Sequence, residues 1–138
     1  MISAVNHITL TVVDLEKAFS FYRDVLGLKP LAKRQNKSYY FLAGNDWVAL
    51  VLDRNKNVVA CKESYTHLAF SVGKKDFCAA AEKIKNAGAT IWQENSSPGE
   101  SLYFLDPSGN KLEIHSGSWQ SRMKWLQENP SAEVTLYE

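Results

Sequence analysis

The sequence predicts an α+β fold built from one βαβββ module written twice. Three observations carry that reading. His7-Ile8-Thr9-Leu10-Thr11-Val12 alternates polar and apolar residues, and His67-Leu68-Ala69-Phe70-Ser71-Val72 repeats the pattern sixty residues later. Each segment precedes a stretch with helical spacing that ends at a glycine. Each helical stretch precedes short apolar strands around a turn. Period-2 alternation marks strands buried on one side, and self-similarity at a fixed interval marks a repeated structural unit.

In chain order, the first strand sends Ile8, Leu10 and Val12 to one face. Asp14 is suited to cap a helix over 15–26, where Ala18, Phe21, Tyr22, Val25 and Leu26 form the apolar stripe and Gly27 ends it. Tyr39-Tyr40-Phe41-Leu42 and Trp47-Val48-Ala49-Leu50-Val51-Leu52 then flank a turn at Gly44-Asn45-Asp46. In the second copy Phe77, Ala80, Ala81 and Ile84 make the stripe and Gly88 closes the helix. Leu102-Tyr103-Phe104-Leu105 and Lys111-Leu112-Glu113-Ile114-His115 flank Asp106-Pro107-Ser108-Gly109, which has the residues of a tight reversal. The first module is expected over 4–52, a linker over 53–64 and the second module over 65–116. A helix over 118–128, capped by Ser118 and stopped before Pro130, completes one domain spanning 1–138. Two curved sheets around a shared cleft are the expected architecture.

A chain that is 45% hydrophobic and 12% aromatic can fill a core at this length. Sixteen Lys and Arg against fifteen Asp and Glu leave a formal charge of +1, so no global field favours nucleic acid or an anionic membrane. An anionic ligand would have to be captured locally. Cys61 and Cys78 have no motif spacing and read as free thiols of a reducing compartment. With no leader pattern and no long apolar run, the chain is expected to be soluble and cytoplasmic.

His7 and His67 occupy equivalent positions of the two copies, each on the face opposite its strand's apolar residues. In a single-chain cleft they would face each other. Glu113 lies between Leu112 and Ile114, so it points away from both, and a buried carboxylate needs a partner. Two imidazoles and a carboxylate suit Mn, Fe, Co, Ni or Zn and leave coordination positions open. His115 shares the face of Glu113 and is either a rival ligand or a supporting residue.

The blocks Asn6-His7-Ile8-Thr9-Leu10, Tyr65-Thr66-His67-Leu68-Ala69-Phe70 and Tyr103-Phe104-Leu105-Asp106-Pro107-Ser108-Gly109-Asn110-Lys111-Leu112-Glu113-Ile114-His115, in this order, resemble the vicinal oxygen chelate superfamily. They resemble most its fosfomycin-resistance thiol transferases. That resemblance implies a homodimer of paired modules with exchanged arms. Mn(II) would be held by His7 of one subunit with His67 and Glu113 of the other. It implies attack of glutathione on the epoxide of fosfomycin, a small phosphonate. Thr9 would donate to the opening oxygen and Tyr40 would sit near the thiol. Trp47 and Tyr65 would line the pocket, while Ser97, Ser101, Tyr103 and Arg122 would grip the phosphonate. Asn95-Ser96-Ser97-Pro98-Gly99-Glu100-Ser101 resembles the family's potassium loop, with Asn95, Ser97, Gly99 and Ser101 around K+.

The chain departs from that pattern at three positions. Gln93 stands where a lysine is usual, Ser96 where an arginine is usual, and Pro98 where an acidic residue is common. A charge-assisted contact in a buried site contributes roughly 1.5–3 kcal/mol. Two missing cations would therefore lower fosfomycin turnover about 100-fold. Residues 33–39 also differ from the usual glutathione side. Rival readings within the superfamily are an epoxide hydrolase, a glyoxalase-type isomerase, an iron-dependent dioxygenase and a drug-binding module. Residues 36–40 offer no acid to activate water, and 47–50 offer no fourth ligand. Intact His7, His67 and Glu113 disfavour a simple binding module.

Overall fold

The alternation of the first segment becomes strand β1 (His7–Val12), with His7 and Thr9 exposed and Val12 fully buried. The computed structural model describes residues 1–58, 64–96 and 98–137. Asp14 caps α1 (Leu15–Ser20) by accepting from the Lys17 amide, and Leu15 and Ala18 face the core. The helix does not run on in α form as its spacing predicts. Phe21–Val25 widens into a π-helical turn, closed by the Leu26 amide donating to the Phe21 carbonyl at 3.0 Å. The wider turn accompanies the burial of two consecutive aromatics, Phe21 and Tyr22, which an ordinary helix separates around its axis. Gly27, at φ 75°, then turns the chain as expected.

The remaining strands are β2 (Lys29–Arg34), β3 (Ser38–Ala43) and β4 (Asp46–Leu52). β1 pairs parallel with β4, and β3 pairs antiparallel with β4 and β2, giving the order β1-β4-β3-β2. The second module repeats this order. β5 (Leu68–Ser71), α2 (Phe77–Asn86), β6 (Ile91–Gln93), β7 (Ser101–Leu105) and β8 (Lys111–His115) form a sheet ordered β5-β8-β7-β6. α3 (Trp119–Glu128) starts at Ser118, whose side chain and that of Ser121 each accept or receive across the first turn as a capping box. No helix among the described residues is long and apolar enough to cross a membrane. Cys78 is free and exposed, while Cys61 and the linker stretch 59–63 lie outside the described residues.

One apolar core joins the modules, with Phe21, Phe41 and Leu50 of the first packed with Phe104, Leu112 and Ile114 of the second. A buried polar clasp reinforces it. Asp106 opens the Asp-Pro-Ser-Gly turn and accepts from the Ser108 and Asn110 amides at 2.8 and 2.9 Å. Its other oxygen accepts from the Tyr22 hydroxyl at 2.6 Å and from Asn110 Nδ2 at 2.8 Å. Asn110 Nδ2 also donates to the Thr11 carbonyl, and the Val13 amide donates to Ser108 Oγ. The turn expected only to reverse the chain therefore ties β1 and α1 to the second sheet. Burial, reinforced by the facing Asp106 carboxylate, pushes the Tyr22 phenol well above its ordinary range, so it stays a donor.

Tyr22→Phe keeps the ring and removes one donor from a buried carboxylate. It should destabilise the fold by about 1.5–3 kcal/mol, read as a lower urea midpoint with an unchanged slope. An unchanged midpoint would show that the clasp contributes nothing.

Candidate metal centre

Strand register builds the second-module face. Ala69, Glu113, Tyr103 and Gln93 lie in one transverse row, and Ser71, His115 and Ser101 lie in the next. His67 precedes Ala69 by two residues and so shares its face. Its Nε2 stands 2.9 Å from Glu113 Oε1, and its Nδ1 stands 2.7 Å from the Tyr65 carbonyl. A carbonyl only accepts, so Nδ1 carries the proton and the Nε2 lone pair faces a carboxylate oxygen. Two acceptors can sit that close only with a proton or a cation between them. Glu113 is 7% exposed, which makes an unpaired carboxylate there costly.

The other carboxylate oxygen is also engaged. Ser101 Oγ donates to Glu113 Oε2 at 2.7 Å and lies 2.6 Å from His115 Nδ1. The serine has one proton, so His115 donates to Ser101 and Ser101 donates to Glu113. The His115 ring is wedged against bare backbone. A Cβ at Gly99 would stand 3.0 Å from its Cε1, and one at Gly117 would stand 2.5 Å from its Nε2. His115 thus braces the carboxylate through Ser101, as residues behind metal ligands commonly do. Counting outward from the Asp106 turn would have paired Ser101 with His115 from sequence alone.

Tyr65, Tyr103 and Arg122 complete a cavity of about 280 Å³ over this pair. Tyr103 is buried, and its ring centroid lies 5.9 Å from that of His67. Half-buried Arg122 donates to the Pro98 carbonyl at 3.4 Å, bringing its charge to the loop. Asn95 Nδ2 donates to the Gly99 carbonyl at 2.9 Å, which ties these two residues together. Ser97 lies outside the described residues. Gln93 Nε2 donates to the Tyr65 hydroxyl at 3.2 Å, so the residue replacing the usual lysine faces the same site. A second cleft, about 370 Å³, lies between the modules among the core-facing side chains Ile8, Val48, Leu68, Phe70 and Ile84. Its mainly apolar lining offers no comparable set of donors.

The first-module face carries the other expected residues. His7 stacks on Trp47 with ring centroids 4.4 Å apart, and its Nδ1 lies 2.8 Å from Asn6 Oδ1. Trp47 meets Tyr40 edge-on at 5.7 Å, and Thr9, Ala49 and Tyr40 form one transverse row. The Ser38 hydroxyl and the Arg34 guanidinium hold the Tyr40 phenol below its ordinary range.

These two faces do not converge within one chain, which corrects the expectation of a single-chain cleft. Among the described residues, no three His, Cys, Asp or Glu side chains group to hold a metal. The reason lies in the core. Both sheets turn their apolar faces to one shared cluster, so the faces carrying His7 and Glu113 are the ones turned away from it. Equivalence under the repeat set each histidine's face within its own sheet, not the direction in which that sheet looks. His67 and Glu113 still fit a divalent ion, because they are adjacent, mostly buried and of the residue types that exchange a shared proton for a cation.

A family model described as the glyoxalase/bleomycin resistance protein/dioxygenase superfamily matches residues 4–114. The chain is 44% identical over 133 residues to a glutathione transferase, FosA, of Serratia marcescens, covering 96% of this chain and 94% of that protein. It is 35% identical over 127 residues to a metallothiol transferase, FosB, of Shouchella clausii, covering 89% and 86% respectively. Among solved structures, it resembles a mutant of the fosfomycin resistance protein FosX of Listeria monocytogenes complexed with Mn(II) and 1S,2S-dihydroxypropylphosphonic acid. That match has a TM-score of 0.78, 28% identity, and coverage of 91% of this chain and 98% of that one.

Calorimetric titration with Mn(II) should show no binding to Glu113→Ala and binding weakened about 10–100-fold in His115→Ala, the cost of losing a supporting residue. Equal loss in both variants would make His115 a direct ligand instead.

Proposed function

Because the chain belongs to the glyoxalase/bleomycin resistance protein/dioxygenase superfamily, we propose that it is a metal-dependent thiol transferase opening the epoxide of fosfomycin, or of a similar small phosphonate, with glutathione. The observation that carries this reading is the His67–Glu113 pair. It is an adjacent, mostly buried imidazole–carboxylate pair within a chain whose curated relatives are named glutathione and metallothiol transferases. The ion would be Mn(II), held by His67 and Glu113 together with His7 of a second copy in a homodimer. The outward turn of the two faces supports that completion, since neither face can finish the site in its own chain.

Once bound, the metal ion supplies Lewis acidity toward the oxirane oxygen and offsets the phosphonate charge. The chain's own residues do the rest. Arg122 offers charge-assisted bonds to phosphonate oxygens, and Tyr65 and Tyr103 close the pocket around the small ligand. Trp47, stacked on His7, walls the facing side. K+ beside the Asn95–Gly99–Ser101 side of the loop, with Ser97, would balance further charge. Ser101 has its proton on Glu113, so it can donate to the phosphonate only by releasing that carboxylate.

The thiol sulfur bonds to an epoxide carbon while that carbon–oxygen bond breaks. The electron pair stays on oxygen, the Thr9 hydroxyl donates a hydrogen bond to it, and the thiol proton balances its charge. No redox change occurs, and the product is a hydroxy thioether. Tyr40, in the same row as Thr9, stands where it can steer the sulfur. Among the described residues, the strands β1 to β4 put Thr9, Thr11, Ser38 and Arg34 and no carboxylate on the face around Tyr40, so these strands supply no base for water there. That favours addition of a thiol over hydrolysis.

Incubating the protein with Mn(II), K+, fosfomycin and glutathione should yield the adduct, visible by phosphorus NMR. No adduct with any thiol, with metal verified as bound, would overturn the transferase reading. Gln93→Lys places a cation in the row of Glu113 and Tyr103 and should raise kcat/KM for fosfomycin about tenfold. Unchanged turnover would mean that the missing lysine does not limit this chain.

A further inference from the structure

Residues 64–66 belong to no helix or strand, yet they lead directly into His67 and include Tyr65, a wall of the cavity. His67 depends on this stretch. The Tyr65 carbonyl takes the Nδ1 proton at 2.7 Å, and so decides that the Nε2 lone pair faces Glu113. A tautomer set by a loop carbonyl is only as fixed as the loop.

One side chain holds that loop from the sheet. Lys111 and His67 each precede the first pair of the β5–β8 ladder, Leu68 with Leu112, so they stand side by side at its start. Lys111 alternates with Leu112 and shares the face of Glu113 and His115. Its Nζ donates to the Ser64 carbonyl. That oxygen lies in the peptide plane that ends at the Tyr65 nitrogen, so holding it holds the plane from which Tyr65 starts. Within the loop, the Thr66 amide donates to Ser64 Oγ at 3.3 Å, which draws Ser64 into the same turn.

The ammonium is itself seated. It lies 5.0 Å from the centroid of the Trp92 ring, within the range of cation–π attraction. The Trp92 indole is pinned in turn, because Nε1 donates to the Leu112 carbonyl at 3.0 Å. Its ring meets those of His67 and Tyr65 at 5.4 and 5.9 Å. A lone surface lysine holds little, since its long stem is free to leave any one contact. Here an aromatic platform on one side and a carbonyl on the other favour one place for it. Lys111 does not line the cavity, where Arg122 supplies the fixed positive charge, so gripping an anion is not its task.

Resting on the metal-centre reading, we propose that Lys111 is a positioning residue for His67: seated on Trp92, its ammonium fixes the Ser64 carbonyl and so the turn whose next carbonyl sets the His67 tautomer. Lys111 touches neither metal nor substrate. It acts through the loop, and the loop acts through the imidazole.

The test compares Lys111→Met, which keeps the stem on Trp92 and removes the charge, with Lys111→Arg, which returns a cationic donor. Mn(II) titrated calorimetrically into the full-length protein should bind about 10–100-fold more weakly to Lys111→Met, with most of the affinity restored in Lys111→Arg. On the metal-free protein, backbone order parameters from 15N relaxation should fall at 64–66 in Lys111→Met, from about 0.85 toward about 0.6, and recover in Lys111→Arg. The urea midpoint should stay at the wild-type value, because the Lys111–Ser64 contact is exposed. Wild-type Mn(II) affinity in Lys111→Met overturns the proposal, as does a lowered midpoint that alone accounts for the weaker binding. If the unsubstituted protein takes up no Mn(II), the metal-centre reading falls and this proposal falls with it. Equal uptake by the unsubstituted protein and Lys111→Met removes the proposal alone.

Discussion

The structure turns on the contact between His67 Nε2 and Glu113 Oε1. Because the Tyr65 carbonyl claims the Nδ1 proton, the imidazole presents a lone pair to a carboxylate that is itself mostly buried. Such a contact needs a proton or a cation between the two atoms. Around it, each neighbour holds the ligand atoms rather than relieving them. Ser101 and His115 fix the far oxygen of Glu113, and Gly99 and Gly117 leave room only for the His115 ring. A site braced this way is set to receive a cation with little rearrangement.

The same constraint places the proposed ligands on two separate surfaces. A βαβββ module sends alternate strand residues to opposite faces, and the core takes the apolar set from both modules. The clasp from Tyr22 through Asp106 and Asn110 to Thr11 then locks the sheets back to back. Stability and function are therefore in tension. The packing that stabilises one chain keeps His7 with Trp47 on one side and His67 with Glu113 on the other. The proposed second copy, bringing its His7 face onto the Glu113 face, would resolve this without disturbing either core.

Much of this was legible in the sequence where local physics decides. The alternation around His7 and His67, the caps at Asp14 and Ser118, and the glycines at 27 and 88 all act within a few residues, and each forms as expected. β2 was not located because all six of its residues are exposed, so an edge strand carries no alternation to read. The π-helical turn was hidden because it accompanies a burial that includes the Tyr22–Asp106 contact, whose partners lie 84 residues apart. Glu113 was legible as a buried acid needing a partner, but its first partner, His67, was expected only as a fellow metal ligand and not in direct contact. Its second, Ser101, had been assigned to the phosphonate, because the resemblance named the loop but not which acceptor would take the serine's proton. The separation of His7 from His67 depends on how two sheets share a core, which no single strand records.

The central claim is that one working site is assembled from two chains, and a complementation experiment tests it most directly. His7→Ala and Glu113→Ala chains, carrying different affinity tags, are each expected to be inactive as homodimers. Co-expressed and purified through both tags, the heterodimer concentrates both lesions in one site and leaves the other intact. The account predicts one tightly bound Mn(II) per two chains and half the wild-type activity. A heterodimer with no bound metal and no activity would contradict it, placing all three ligands within a single chain; an active His7→Ala homodimer would remove His7 from the set.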